Sequence, residues 1–426
     1  IKDPAHLQGT SKIVQVIRKE DGTVKIIIQL NHSGSISDGR FSRVVRVCAP
    51  SENSPDNALG DILTTEEIEE IITAFIDGAE AAYLAGADGV DVKCCHGYLL
   101  GQFLRPANIR EDGFGGGPAG RNFDGRVEVV RRIVEGIDLR IKQVYEREKG
   151  DIPTLRSPKE FELMVRLSVY EGIVGGIGTK GPQDESLAPE EMQEMMDADL
   201  KEILREPLEL VRRLAEWGVK WVNVSAGIPK FNGDVWVRPR NPPETLFADD
   251  GLLNLDAVHF LRFSRLVKEA LTEAGSSAIV IGSGFSFFGD RLKEVAQQAI
   301  QRGYVDKVGI GRKSLREPDI FTGKGVCTRC KLCSRLLIYN TFVGCVHNDS
   351  LYRQLCKQPP LTNPVAFAGE AMPAALFVNL AADGFSRDSD VCMGGRYPQY
   401  HNEERAVGIK RPGEFGKTLS AFSRDP

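Results

Sequence analysis

Short β-branched runs alternate with amphipathic helical stretches as far as residue 310, and this alternation constrains the fold more than any other feature. Residues 24–30 (VKIIIQL), 89–93 (GVDVK), 163–169 (LMVRLSV), 220–224 (KWVNV), 278–281 (AIVI) and 307–310 read as strands. Residues 64–84, 127–141, 207–217, 255–271 and 291–302 carry apolar residues at helical spacing between them. Buried strands separated by helices point to a parallel sheet with helical crossovers. A (β/α)8 barrel needs eight strands and ~250 residues. Six are legible here, and residues 2–19 read as a helix whose own strand is absent. The expected fold is therefore an α/β TIM barrel lacking its first two strands.

The rival architecture is a doubly wound sheet, which wants a glycine fingerprint between its first strand and a helix. Gly115, Gly117 and Gly120 form one G-x-G-x-x-G match, and Gly176, Gly178 and Gly181 another. Both lie in loops and neither opens a helix behind a strand, so the sequence disfavours a nucleotide site of that kind. From about residue 361 the pattern fades among prolines. The expected organisation is a barrel over 1–326, a cysteine-rich segment over 327–356 and an irregular extension over 357–426.

Composition narrows the function classes. The 426 residues are 42% hydrophobic and 27% charged, with a net charge of −5, which suits a globular chain with a sizeable core. No basic excess marks a nucleic-acid binder. No run approaches the ~20 apolar residues of a membrane span. Residues 1–8 show no apolar leader pattern, so a cytoplasmic protein is expected.

Catalytic groups of β/α barrels gather at the C-terminal ends of strands. The first legible strand ends in Gln29, whose amide both donates and accepts. The second runs into Lys93, Cys94, Cys95, His96, Gly97 and Tyr98. A cation and an imidazole there suit a developing oxyanion, and a phenol suits proton delivery. Arg166 interrupts an apolar strand and calls for an anion, a polar ring edge or an ion-pair partner. Ser283 and Gly284 follow the fifth strand and Gly311 and Arg312 the sixth, the places where this fold usually holds phosphate. Cys327, Cys330, Cys333 and Cys345 are spaced C-x2-C-x2-C-x11-C, which reads as an iron–sulfur cluster, a zinc site or unligated thiols.

QLNHSG, DGVDVKCCHGYLLGQFLRPANIREDGFGG, VRLSVYEG, IGSG and VGIGR occur in the order seen in Old Yellow Enzyme-like proteins. Over roughly residues 1–350 the chain resembles that NADH:flavin oxidoreductase family. The resemblance implies FMN, with Gln29 and Arg166 at the pyrimidine side of the flavin and Ser283, Gly284, Gly311 and Arg312 at its phosphate. It implies Lys93 and His96 on the substrate's activating oxygen, Tyr98 as proton donor, and NAD(P)H and a small unsaturated carbonyl compound as partners. Lys93 stands where the family usually carries histidine. The cysteine spacing is similar to that of the iron–sulfur relatives, which resemble 2,4-dienoyl-CoA reductase and trimethylamine dehydrogenase, and would imply [4Fe-4S]. Three readings follow: an FMN-dependent ene-reductase, an iron–sulfur flavoenzyme with a separate electron partner, and a truncated barrel without flavin or activity. A homo-oligomer is compatible with each.

Overall fold

The computed structural model describes residues 4–36, 46–48, 61–152, 155–229, 232, 253–317, 325–328, 330, 332–333, 336, 344–348 and 350–357. The expected extension over 357–426 therefore lies, apart from Lys357, outside the described residues. The chain divides into two compact units, one of residues 1–284 with 293–309, the other of residues 285–292 with 310–426.

The first unit is built on a six-stranded parallel sheet of β1 (Ile27–Leu30), β4 (Gly89–Cys94), β5 (Glu162–Ser168), β6 (Trp221–Ser225), β7 (Ile279–Gly282) and β8 (Lys307–Val308). A separate small pair joins β2 (Arg46–Val47) to β3 (Asp61–Ile62). In the large sheet every strand lies beside the next one in the chain, in the order β1-β4-β5-β6-β7-β8. A doubly wound sheet reverses direction at a switch point. This sheet never does, so the winding is that of a β/α barrel, with six of its eight strands among the described residues.

Helices fill the crossovers: α2 (Thr65–Leu84) before β4, α3 (Leu99–Leu104) and α4 (Phe123–Glu148) before β5, α5 (Pro189–Glu194), α6 (Asp197–Ile203) and α7 (Arg205–Glu216) before β6, α8 (His259–Glu273) before β7 and α9 (Leu292–Gln301) before β8. The helix expected at the N-terminus is α1 (Pro4–Glu20). Helix α2 starts at a capping box, in which the Thr64 hydroxyl accepts from Glu67 N–H and the Glu67 carboxylate accepts from Thr64 N–H. It buries Ile68, Ile72, Phe75, Ala79 and Ala82. Helix α4 lies beside α2, with Arg132 paired to Glu69 and Arg140 to Asp77 and Glu80.

Several expected boundaries differ: α4 runs from Phe123 to Glu148 rather than over 127–141, the last strand ends at Val308 rather than 310, and others shift by a residue or two. The first strand starts at Ile27 rather than residue 24, because Val24 is exposed and has no strand neighbour to pair with. The stretch at 255 opens as a 3-10 turn (Leu255–Ala257), and the α-helix begins only at His259. The second unit contains α10 (Arg312–Arg316) and α11 (Ser350–Lys357).

Candidate active site

Strand alternation sorts the sheet into two faces. Leu30, Val92, Val165, Leu167, Val222, Val224 and Val280 are buried on the helix-covered face. The opposite face carries the chemistry. Register sets Gln29 beside Asp91, then Lys93 beside Arg166 and Arg166 beside Asn223, then Ser168 beside Ser225. Three of the expected residues, Gln29, Lys93 and Arg166, thus lie on one polar surface.

Its contacts are specific. Gln29 Nε2 donates to Asp91 Oδ2 at 2.6 Å. Ser283 Oγ donates to Asn223 Oδ1 at 2.6 Å. Burial pushes the Asp91 carboxyl up, against the Gln29 hydrogen bond and the positive charge of Arg166. Burial is also the main cause that lowers Lys93, to about 8. Asp91 Oδ1 and Arg166 Nε are buried without a hydrogen-bond partner. An orphaned acceptor and an orphaned donor on one buried face are costly unless a polar ligand meets them.

The loop after β4 places the other two expected groups. His96 has φ +63° and Gly97 φ +76°, two successive left-handed residues that reverse the chain directly behind the strand. Gln102 on α3 holds the turn, its Nε2 donating to Gly97 O at 2.8 Å and Ser35 Oγ at 2.6 Å. A Cβ on Gly97 would come within 3.1 Å of Ile36 and 3.2 Å of Ile228, so space as well as φ selects glycine. His96 N–H donates to Ser168 Oγ at 3.2 Å, and His96 Nε2 lies 2.7 Å from Ser225 Oγ. Burial, helped by the charges of Arg166 and Lys93, drives the His96 pKa well below the usual histidine range. Tyr98 is folded back so that Lys93 Nζ sits 3.1 Å from its ring centroid, and burial raises the phenol. Beneath this loop Arg105 and Glu171 form an ion pair at 2.7 Å, both side chains buried.

Ser283 and Gly284 follow β7, Gly284 at φ +85°. Gly311 and Arg312 belong to the second unit, at the start of α10. Cys327, Cys330, Cys333 and Cys345 are half-buried in the same unit. Among the described residues no group of three or more His, Cys, Asp or Glu is arranged to hold a metal ion, so these four thiols are not brought together there. Residues 329, 331, 334–335 and 337–343 between them lie outside the described residues.

The two glycine matches have packing roles. A Cβ on Gly120 would lie 2.1 Å from Pro106 O, and one on Gly178 would lie 2.3 Å from the Tyr170 ring. Sequence reading passed over Asp91, Ser168, Asn223 and Ser225. Their signal was present in GVDVK, VRLS and WVNVS, where every second residue of a buried strand is polar.

Residues 1–145 match the model of the NADH:flavin oxidoreductase / NADH oxidase family. The chain is 35% identical over 147 residues to an NADPH dehydrogenase of Clostridium acetobutylicum, covering 34% of this chain and 39% of that one. It is 36% identical over 140 residues to an NADPH dehydrogenase of Geobacillus thermodenitrificans, covering 32% and 40%. The chain thus spans about two fifths of the length of these curated relatives. A solved structure of 2-naphthoyl-CoA reductase, 17% identical, superposes over 85% of this chain and 48% of its own with a TM-score of 0.56, a likeness of fold. The fold is that of a β/α barrel.

Proposed function

We propose that this chain works as an FMN-dependent NAD(P)H oxidoreductase acting on electron-poor alkenes such as enones. The observation that carries this reading is the buried polar face with its unpartnered Arg166 Nε and Asp91 Oδ1. A flavin's pyrimidine edge offers alternating donors and acceptors, which suits that pair together with the Gln29 amide. The family match over the segment holding Gln29, Lys93, His96 and Tyr98 supports the same reading.

When bound, FMN supplies hydride transfer from NAD(P)H to the β-carbon of the alkene. The chain's residues do the rest. Gln29, fixed by Asp91, and Arg166 hold the ring. The turn after β7, with Ser283 and the positive-φ Gly284, suits the phosphate. Lys93, protonated below about pH 8, places positive charge where the substrate's oxygen becomes negative. His96, kept neutral by burial, adds a ring nitrogen. Tyr98 Oη delivers the proton to the α-carbon.

Purified chain should stay yellow and retain FMN after desalting. Colourless protein that takes up no added FMN would overturn the reading. The cysteine spacing by itself favours a second reading, an iron–sulfur flavoenzyme with a cluster on Cys327, Cys330, Cys333 and Cys345, against which stands the separation of these thiols among the described residues.

A further inference from the structure

We propose that Ser225 is a positioning residue that fixes the proton of His96 on Nδ1, so that the ring offers a donor to the substrate's oxygen. The substrate half of this inference rests on the function proposed above. The tautomer half stands by itself.

His96 is the non-glycine residue with positive φ among the described residues, a conformation that is strained for any residue with a Cβ. Two serines hold it there. Ser168 on β5 and Ser225 on β6 are register partners, and both are fully buried. Ser168 Oγ accepts from the His96 backbone N–H, and Ser225 Oγ lies against Nε2. One serine therefore fixes the backbone and the other the ring.

A neutral imidazole carries its proton on one nitrogen only. Which one depends on the direction of the Ser225 bond. The Ser225 hydroxyl has a single proton to donate, and His96 Nε2 is the partner it is given among the described residues. A buried O–H left without an acceptor costs more than a spare oxygen lone pair left unfilled. Ser225 therefore donates to Nε2, Nε2 accepts, and the ring proton sits on Nδ1. The reverse arrangement would strand the serine proton and leave Nδ1 an acceptor, unable to support a developing oxyanion. The spacing of residues in the motif after β4 carries no trace of this, since Ser225 lies 129 residues away.

The test is heteronuclear NMR of full-length chain labelled at histidine nitrogens. The His96 signal is assigned by its loss in His96→Asn. The unsubstituted chain should show the Nδ1–H tautomer. Ser225→Ala should shift the ring toward Nε2–H, Ser225→Thr should restore Nδ1–H, and Ser168→Ala should leave the tautomer alone. In the flavin-loaded enzyme Ser225→Ala should also lower kcat/KM for the alkene by about tenfold, with flavin reduction unchanged. An Nε2–H ring in the unsubstituted chain overturns the proposal, as does an unaltered ring in Ser225→Ala. Should Ser225→Ala fail to fold, the unsubstituted and threonine spectra still decide. A chain that binds no FMN sinks the function proposed above while leaving the tautomer result standing.

Discussion

Lys93 shows how one side chain links stability to chemistry. Its ammonium is buried against the Tyr98 ring, beside Arg166, with Asp91 in partial compensation. The unfolded lysine keeps its proton to about 10.5 and the folded one only to about 8. Between those values the unfolded chain binds more protons, so stability should rise with pH across that window. Below pH 8 both states are charged and the burial penalty is present in full. Lys93→Met should flatten this rise, whose ceiling is about 3 kcal/mol. Urea midpoints of both proteins from pH 7 to pH 10.5 check it, and parallel curves would show that Lys93 is not the titrating group. Tyr98→Phe tests the neighbouring role. It should slow alkene reduction at least ~100-fold, the scale of general acid catalysis, while NAD(P)H reduction of the flavin stays near normal. Stopped-flow measurement separates the two steps, and equal losses in both would remove Tyr98 as proton donor.

At the scale of elements, the site depends on caps and buried pairs that hold loops to strands. Helix α2 packs on β1 and β4, and its start is set by the Thr64 capping box. Thr64→Ala should cost about 1 kcal/mol, read as a lower urea midpoint with unchanged slope. The Arg105–Glu171 pair ties the segment after α3 to the loop after β5. Glu171 also accepts from Ile177 N–H. Glu171→Ala would leave the Arg105 guanidinium buried without its carboxylate, and a loss of about 3–5 kcal/mol is expected in the same assay. A loss under about 1 kcal/mol would mean that the loops are held by their glycine packing and backbone bonds instead.

Across the whole molecule, the unbroken strand order sets every C-terminal strand end on the same side of the sheet, so Gln29, Lys93, Arg166, Asn223 and Ser283 come from five different strands or their ends. The two readings of the chain differ in its second unit. A cluster on the four cysteines predicts about four iron and four sulfide per chain after anaerobic purification. Metal analysis with no iron leaves the flavin reading alone. No helix among the described residues is long and apolar enough to cross a membrane.

Much of this was legible locally. A strand's period and a helix's apolar stripe are written within one short stretch, so the six strands, most of their helices and the groups at the strand ends followed from the sequence by itself. Gln29, Lys93 and Arg166 were visible because polar groups are costly in buried strands, and His96 and Tyr98 because they directly follow a strand's C-terminal end. Register was not legible, because it is fixed by hydrogen bonds between segments tens of residues apart. Only the folded sheet set Asp91 against Gln29, laid Lys93 on the Tyr98 ring, left Arg166 Nε without a partner and brought Ser225 to His96. The sequence determined which chemical groups stand at the strand ends. The tertiary structure decided which of them touch, and therefore which are charged, which are neutral and which still lack a partner.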